Sequence, residues 1–136
     1  MKTFFGMAIA ILAVCGMTFA QQPAYEAKAS ARDLMSKIVR PSNGQLGAMR
    51  KAGGPMSDED WAASAATAAI LAEVGQVLQM GDRPKDEAWT DGAQRLTAGA
   101  TSLMAASKSK NAEAWTAAAG AMGQGCRTCH KVHRQQ

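Results

Sequence analysis

Near its C-terminal end the chain carries Cys126-Arg127-Thr128-Cys129-His130, a C-x-x-C-H run. On a helix, residues three apart share a face, so both thiols can reach along one edge of a flat macrocycle. The imidazole that follows then projects toward the centre of the ring. This pattern is the attachment signature of a c-type haem, whose iron takes a histidine as its proximal ligand. Cys126 and Cys129 are then the covalent attachments and His130 the iron ligand. Two other chemistries use these residue types. A redox dithiol is expected beside a βαβ pattern, which the chain lacks. Zinc takes four ligands, and Cys126, Cys129, His130 and His133 would have to supply all of them without the spaced pairs of a zinc module.

Only six residues follow His130, so a second ligand on the other face of the iron must come from upstream. His133 and Met122 lie on the same side of the same helix as His130 and cannot reach across the ring. Met56 falls in a loop, Met80 at a helix end, Met104 on a third helix and Met35 in the middle of the first. A methionine ligand gives a closed electron-transfer iron of raised potential. An open, apolar face gives an iron that binds a small gas. Met35 has an ordinary alternative as core packing, since methionine fills irregular gaps. Leu34 beside it is the apolar neighbour if the iron stays open. No catalytic base, nucleophile or substrate site is evident, so the chain does not read as an enzyme.

Four helical segments must position these residues. The first spans about residues 24–40, with Ala31, Leu34, Met35, Ile38 and Val39 on one face. Pro41 should break it and push Arg40 out of the helical region, with a kinked continuation to about residue 52. Ser57 caps a second helix over residues 58–80, with Trp61, Ala65, Ile70, Leu71, Val74, Val77 and Leu78 as its stripe and Gly81 as its stop. Pro84 suits the first turn of a third helix capped near Asp82, carrying Trp89, Leu96, Ala100, Leu103 and Met104. The charged run 82–87 reads as a solvated turn, and Lys108-Ser109-Lys110 as another. Asn111 caps a fourth helix reaching residue 134, with Trp115, Ala118, Met122, Cys126 and Cys129 in line. The three tryptophans read as packing between helices.

Short connections make these helices neighbours, and an all-α, antiparallel up-down-up-down four-helix bundle follows. Many inward positions are Ala or Gly. Either the helices close up there, or something other than side chains fills the space, because an empty cavity costs stability.

The 136 residues are 47% hydrophobic and 19% charged, with a formal net charge of +4. That suits one domain, excludes a long disordered chain, and leaves no basic run for nucleic acid. Residues 1–20 read as a secretory signal: Lys2, a short apolar run, and Thr18-Phe19-Ala20 before a polar stretch. The apolar run is shorter than the ~20 residues of a membrane span. Cys15 falls within the signal, and bulky Val14 before it argues against a lipid anchor. Residues 21–136 are then an exported domain whose remaining cysteines, Cys126 and Cys129, enter an oxidising compartment.

A four-helix bundle with C-x-x-C-H on its last helix resembles the cytochrome c prime family, the class II c-type cytochromes. The resemblance covers the whole of residues 21–136. The ending Cys-Arg-Thr-Cys-His-Lys-Val-His-Arg is similar to the family's C-K-x-C-H-x-x-[FY]-R, with His133 in place of the aromatic. Asp33-Leu34-Met35, Asp60-Trp61 and residues 81–89 resemble its low-spin, six-coordinate branch. The resemblance implies haem c, with Met35 as the distal ligand because the first helix covers that face. It implies Arg134 near the haem histidine. Arg32, one turn from Met35, becomes a contact for a haem propionate, its alternative being a solvated surface charge. It also implies a periplasmic electron carrier, monomer or homodimer, whose partners are other redox proteins. The rival is a five-coordinate haem protein that binds nitric oxide or carbon monoxide, and a haem-free interaction module stands behind both.

Overall fold

A computed structural model describes residues 25–134. The signal-like segment with Cys15, and the expected helix start at residue 24, lie outside the described residues. Within them the chain is helical, with four helices packed together and no strand. None of these helices is long and apolar enough to cross a membrane.

The first helix, α1, is three segments in unbroken succession: Ala31–Leu34, a π-helical turn Met35–Val39, and Arg40–Lys51. Its start is later than the periodicity suggested, because Ser30 and Asp33 close a capping box there and the chain before them is not helical. The break expected at Pro41 does not occur. Arg40 stays helical, at φ −61° and ψ −51°, and its N–H donates to the Met35 carbonyl five residues back. In an ordinary α-helix the Pro41 ring would crowd the carbonyl four residues earlier. A π turn holds one extra residue and relieves that crowding, so the helix passes through.

The second helix, α2, runs Asp58–Val77 from a capping box of Ser57 and Asp60. The third, α3, runs Glu87–Lys108, and the fourth, α4, runs Ala112–His133 from an Asn111 cap. The start of α3 differs from expectation. Asp86, not Asp82, caps it by accepting the Trp89 N–H at 2.9 Å. Nor is the run 82–87 simply solvated. Arg83 is buried and donates to Tyr25 Oη, the Val77 carbonyl and the Ala29 carbonyl, which holds the entering chain against the end of α2.

The stripe on α2 also needs correction. Ile70 is 49% exposed, while Ser64, Thr67, Ala68 and Gly75 are buried. Size sorts this helix more than polarity does, because its neighbours come close. A Cβ added at Gly75 would lie 2.9 Å from Thr97 N and 3.1 Å from the Ala93 carbonyl oxygen. The α3–α4 seam is as tight at Gly92, Gly99 and Gly125. The first helix behaves differently. It packs chiefly on α2, where Thr67 donates to Gln45 Oε1 at 2.8 Å, and it buries Val39 and Leu46. Both outcomes posed by the small residues are therefore realised: α2, α3 and α4 close up, and the N-terminal half of α1 stands off.

At the other end of the core a buried polar chain ties three helices. Trp115 Nε1 donates to Ser64 Oγ at 2.7 Å, Ser64 and Ser107 hydroxyls meet at 2.9 Å, and Ser107 donates to the Leu103 carbonyl at 2.8 Å. The order fixes Ser64 as the donor to Ser107. Ser64→Ala is expected to destabilise the fold by about 1–3 kcal/mol, because the indole N–H is left buried without an acceptor. Trp115→Phe removes the stranded donor, so it should cost less in that variant than in the parent. Urea unfolding of the single and double variants checks the pair.

Candidate functional site

The gap between α1 and the α3–α4 pair is a hollow of about 1040 Å³. That is just above the roughly 300–1,000 Å³ of ordinary cofactor sites. From α4 it is lined by Gly125, Cys126, Cys129, His130, His133 and Arg134. Trp89, Gly92, Ala93 and Leu96 form the α3 wall, and Arg32, Met35, Ser36 and Val39 belong to α1.

The two thiols face one hollow because they are three apart on α4, and they are not bridged to each other. Both are half-buried. Desolvation pushes the Cys126 thiol above its ordinary value, and it does the same at Cys129, where the Asp86 charge adds to the effect. His130 is exposed at the mouth, and its imidazole is shifted down by desolvation and then by the Arg134 charge. Both causes favour the neutral ring, the form that can donate to a metal.

Met35 is half-buried in the π turn and lines the hollow. The other methionines named from the sequence do not. Met56 is 79% exposed, Met80 is 39% exposed, and Met122 is buried against Gly99. Met104 lies on α3 away from the hollow, and Leu34 packs on the core cluster without lining it. Arg32 is exposed at the rim.

One part of the site escaped the sequence reading. The His133 side chain is buried, its Nε2 lies 3.0 Å from Asp86 Oδ1, and its ring meets that of Trp89 edge-on at 5.5 Å. Trp89 is itself fixed by Nε1 donating to the Leu78 carbonyl at 2.8 Å. Its packing role holds, and it also walls the hollow. The signal available in the sequence was His133 standing where an aromatic was expected, but nothing there paired it with Asp86.

The donor set fits a covalently held macrocycle: two thiols on one face, an imidazole at the mouth, and a thioether on the opposite helix. It fits zinc poorly. Among the described residues no group of three or more His, Cys, Asp and Glu side chains gathers as a metal site. Compared with known proteins, the chain matches no family model, no curated protein and no solved structure.

Proposed function

We propose that this chain is an exported electron carrier of the cytochrome c prime kind, with haem c joined through Cys126 and Cys129. The observation that carries the reading is that both thiols of the C-x-x-C-H run line the same hollow as Met35, from opposite helices. The bundle is antiparallel, up-down-up-down. In support, Ser64 pairs with Ser107 and Leu78 with Trp89, joining opposite ends of α2 and α3. Gly92 against Cys129 and Gly99 against Met122 do the same for α3 and α4.

When bound, the haem supplies a one-electron iron couple. The chain does the rest. His130, kept neutral, ligates from the mouth. Met35 offers its thioether from α1. Trp89, Leu96 and Val39 keep water from the interior. Arg32 at the rim pairs with a propionate. A carrier of this kind is not an enzyme; its partners are redox proteins that meet the rim in small, weak contacts. Residues 1–20 send it to the periplasm. The gas-binding reading has one observation in its favour, the light docking of α1, which would let Met35 withdraw.

The test is the intact mass of the exported protein. The expected value is the chain from residue 21 plus haem, and Cys126→Ala with Cys129→Ala should remove the added mass. A mature chain without the mass of haem overturns the proposal.

A further inference from the structure

Of the buried polar atoms on the described side chains, His133 Nδ1 is one that has no hydrogen-bond partner. The side chain is 6% exposed and lines the hollow. Its other nitrogen, Nε2, is taken by Asp86 Oδ1 at 3.0 Å. Asp86 is held below the ordinary carboxylate range, first by the Trp89 backbone N–H and then by His133 itself. An ionised carboxylate can only accept, so the hydrogen between the two belongs to Nε2. In the tautomer with its hydrogen on Nε2, the ring carries a lone pair at Nδ1. Trp89, edge-on at 5.5 Å, restrains the ring plane.

Resting on the haem reading, we propose that His133 is a positioning residue for His130. Its Nδ1 accepts the hydrogen bond from the imidazole nitrogen of His130 that does not bind iron. A ligating histidine needs such an acceptor, because one nitrogen is on the metal and the other carries a hydrogen. His133 lies one turn beyond His130 on α4, and positions three apart on a helix are side-chain neighbours. Among the side chains at the hollow the alternatives are few. Arg134, Arg32, Arg40 and Lys85 at the hollow can only donate. Asp33 is closed into its box with Ser30, while Ser36 and Asn43 belong to α1. The result is a chain Asp86–His133–His130 running from the cap of α3 to the iron ligand. It fixes the ring orientation of His130 and makes it a stronger donor, which favours the oxidised state.

The experiment uses the exported, haem-loaded protein and reads its reduction potential. His133→Phe removes the acceptor and keeps a ring. Asp86→Asn keeps the cap, since Asn serves as well there, and removes the carboxylate. Both should shift the oxidised-to-reduced balance toward reduced by up to about tenfold, about 59 mV for one electron. His133→Gln, which keeps an acceptor oxygen, should return much of the shift. Histidine 15N spectra of the unmodified reduced protein should show His133 carrying its hydrogen on Nε2. Oxidised-to-reduced balances within twofold of the parent in both variants, or a hydrogen on Nδ1, overturn the proposal while leaving the haem reading intact. If His133→Phe does not fold, Asp86→Asn and the spectra decide. An absent haem mass is a separate failure that overturns both.

Discussion

Met35→Ala is expected to convert a haem-loaded protein with a low-spin spectrum, indifferent to carbon monoxide, into a high-spin one that binds the gas. The argument is competitive. If the form with Met35 in place outweighs the open form by about 100 to 1, its removal raises apparent gas affinity about a hundredfold. The potential should fall as well, because a thioether ligand raises it. Met35 is the methionine that the structure brings to the hollow, and it belongs to a π turn, where the extra residue shifts side chains off the regular helical rows. Met35→Leu separates ligation from packing, since that exchange keeps most of the volume. It should change the spectrum as Met35→Ala does while leaving stability within about 1.5 kcal/mol. Optical spectra with and without carbon monoxide check both variants. A parent protein that already binds the gas, with spectra unaltered by either substitution, would make Met35 a wall of the hollow and favour the gas-binding reading.

The placement of Met35 shows what the sequence could and could not disclose. Helix existence was legible from spacing and caps: Ser57 with Asp60, and Asn111, begin helices where their side chains accept backbone N–H groups. The motif on the last helix was legible because its residue types and intervals are local. Pro41 misled, because a missing donor can be accommodated by a wide turn as well as by a break, and the choice depends on the rest of α1. Ile70 misled because apolarity does not report how near the neighbouring helix comes. The standing-off of α1 was posed as an alternative by the small residues, yet only tertiary contact decides which helices close. The Asp86–His133 pair spans 47 positions, and such a distance is invisible to periodicity.

The tightest of those tertiary contacts carries the remaining large prediction: alanine in the α3–α4 seam should destabilise, although alanine is the better helix former. At Gly125 a Cβ would fall 2.6 Å from Leu96 N, 2.9 Å from the Gly92 carbonyl oxygen and 3.0 Å from Arg95 C, all of them α3 backbone. Backbone cannot turn aside as a side chain end can, so the helices must part. Overpacking of this kind costs about 1–3 kcal/mol, against a propensity gain of about 1 kcal/mol for Gly to Ala. Gly47 and Gly120, with nothing within 4 Å of an added Cβ, supply the opposite sign and should stabilise. Thermal unfolding should separate the two classes, at about 4–8 °C per kcal/mol for a domain of this size. Gly92 adds a functional consequence. Its Cβ would meet Cys129 Cβ at 2.6 Å and Cys129 N at 3.0 Å, so Gly92→Ala displaces one of the two thiols proposed to hold haem. Haem content of the exported protein should then fall further in Gly92→Ala than in Gly99→Ala, whose added methyl presses on Met122 instead. Equal haem content, with both seam variants melting at or above the parent, would mean that α3 and α4 do not approach through these glycines.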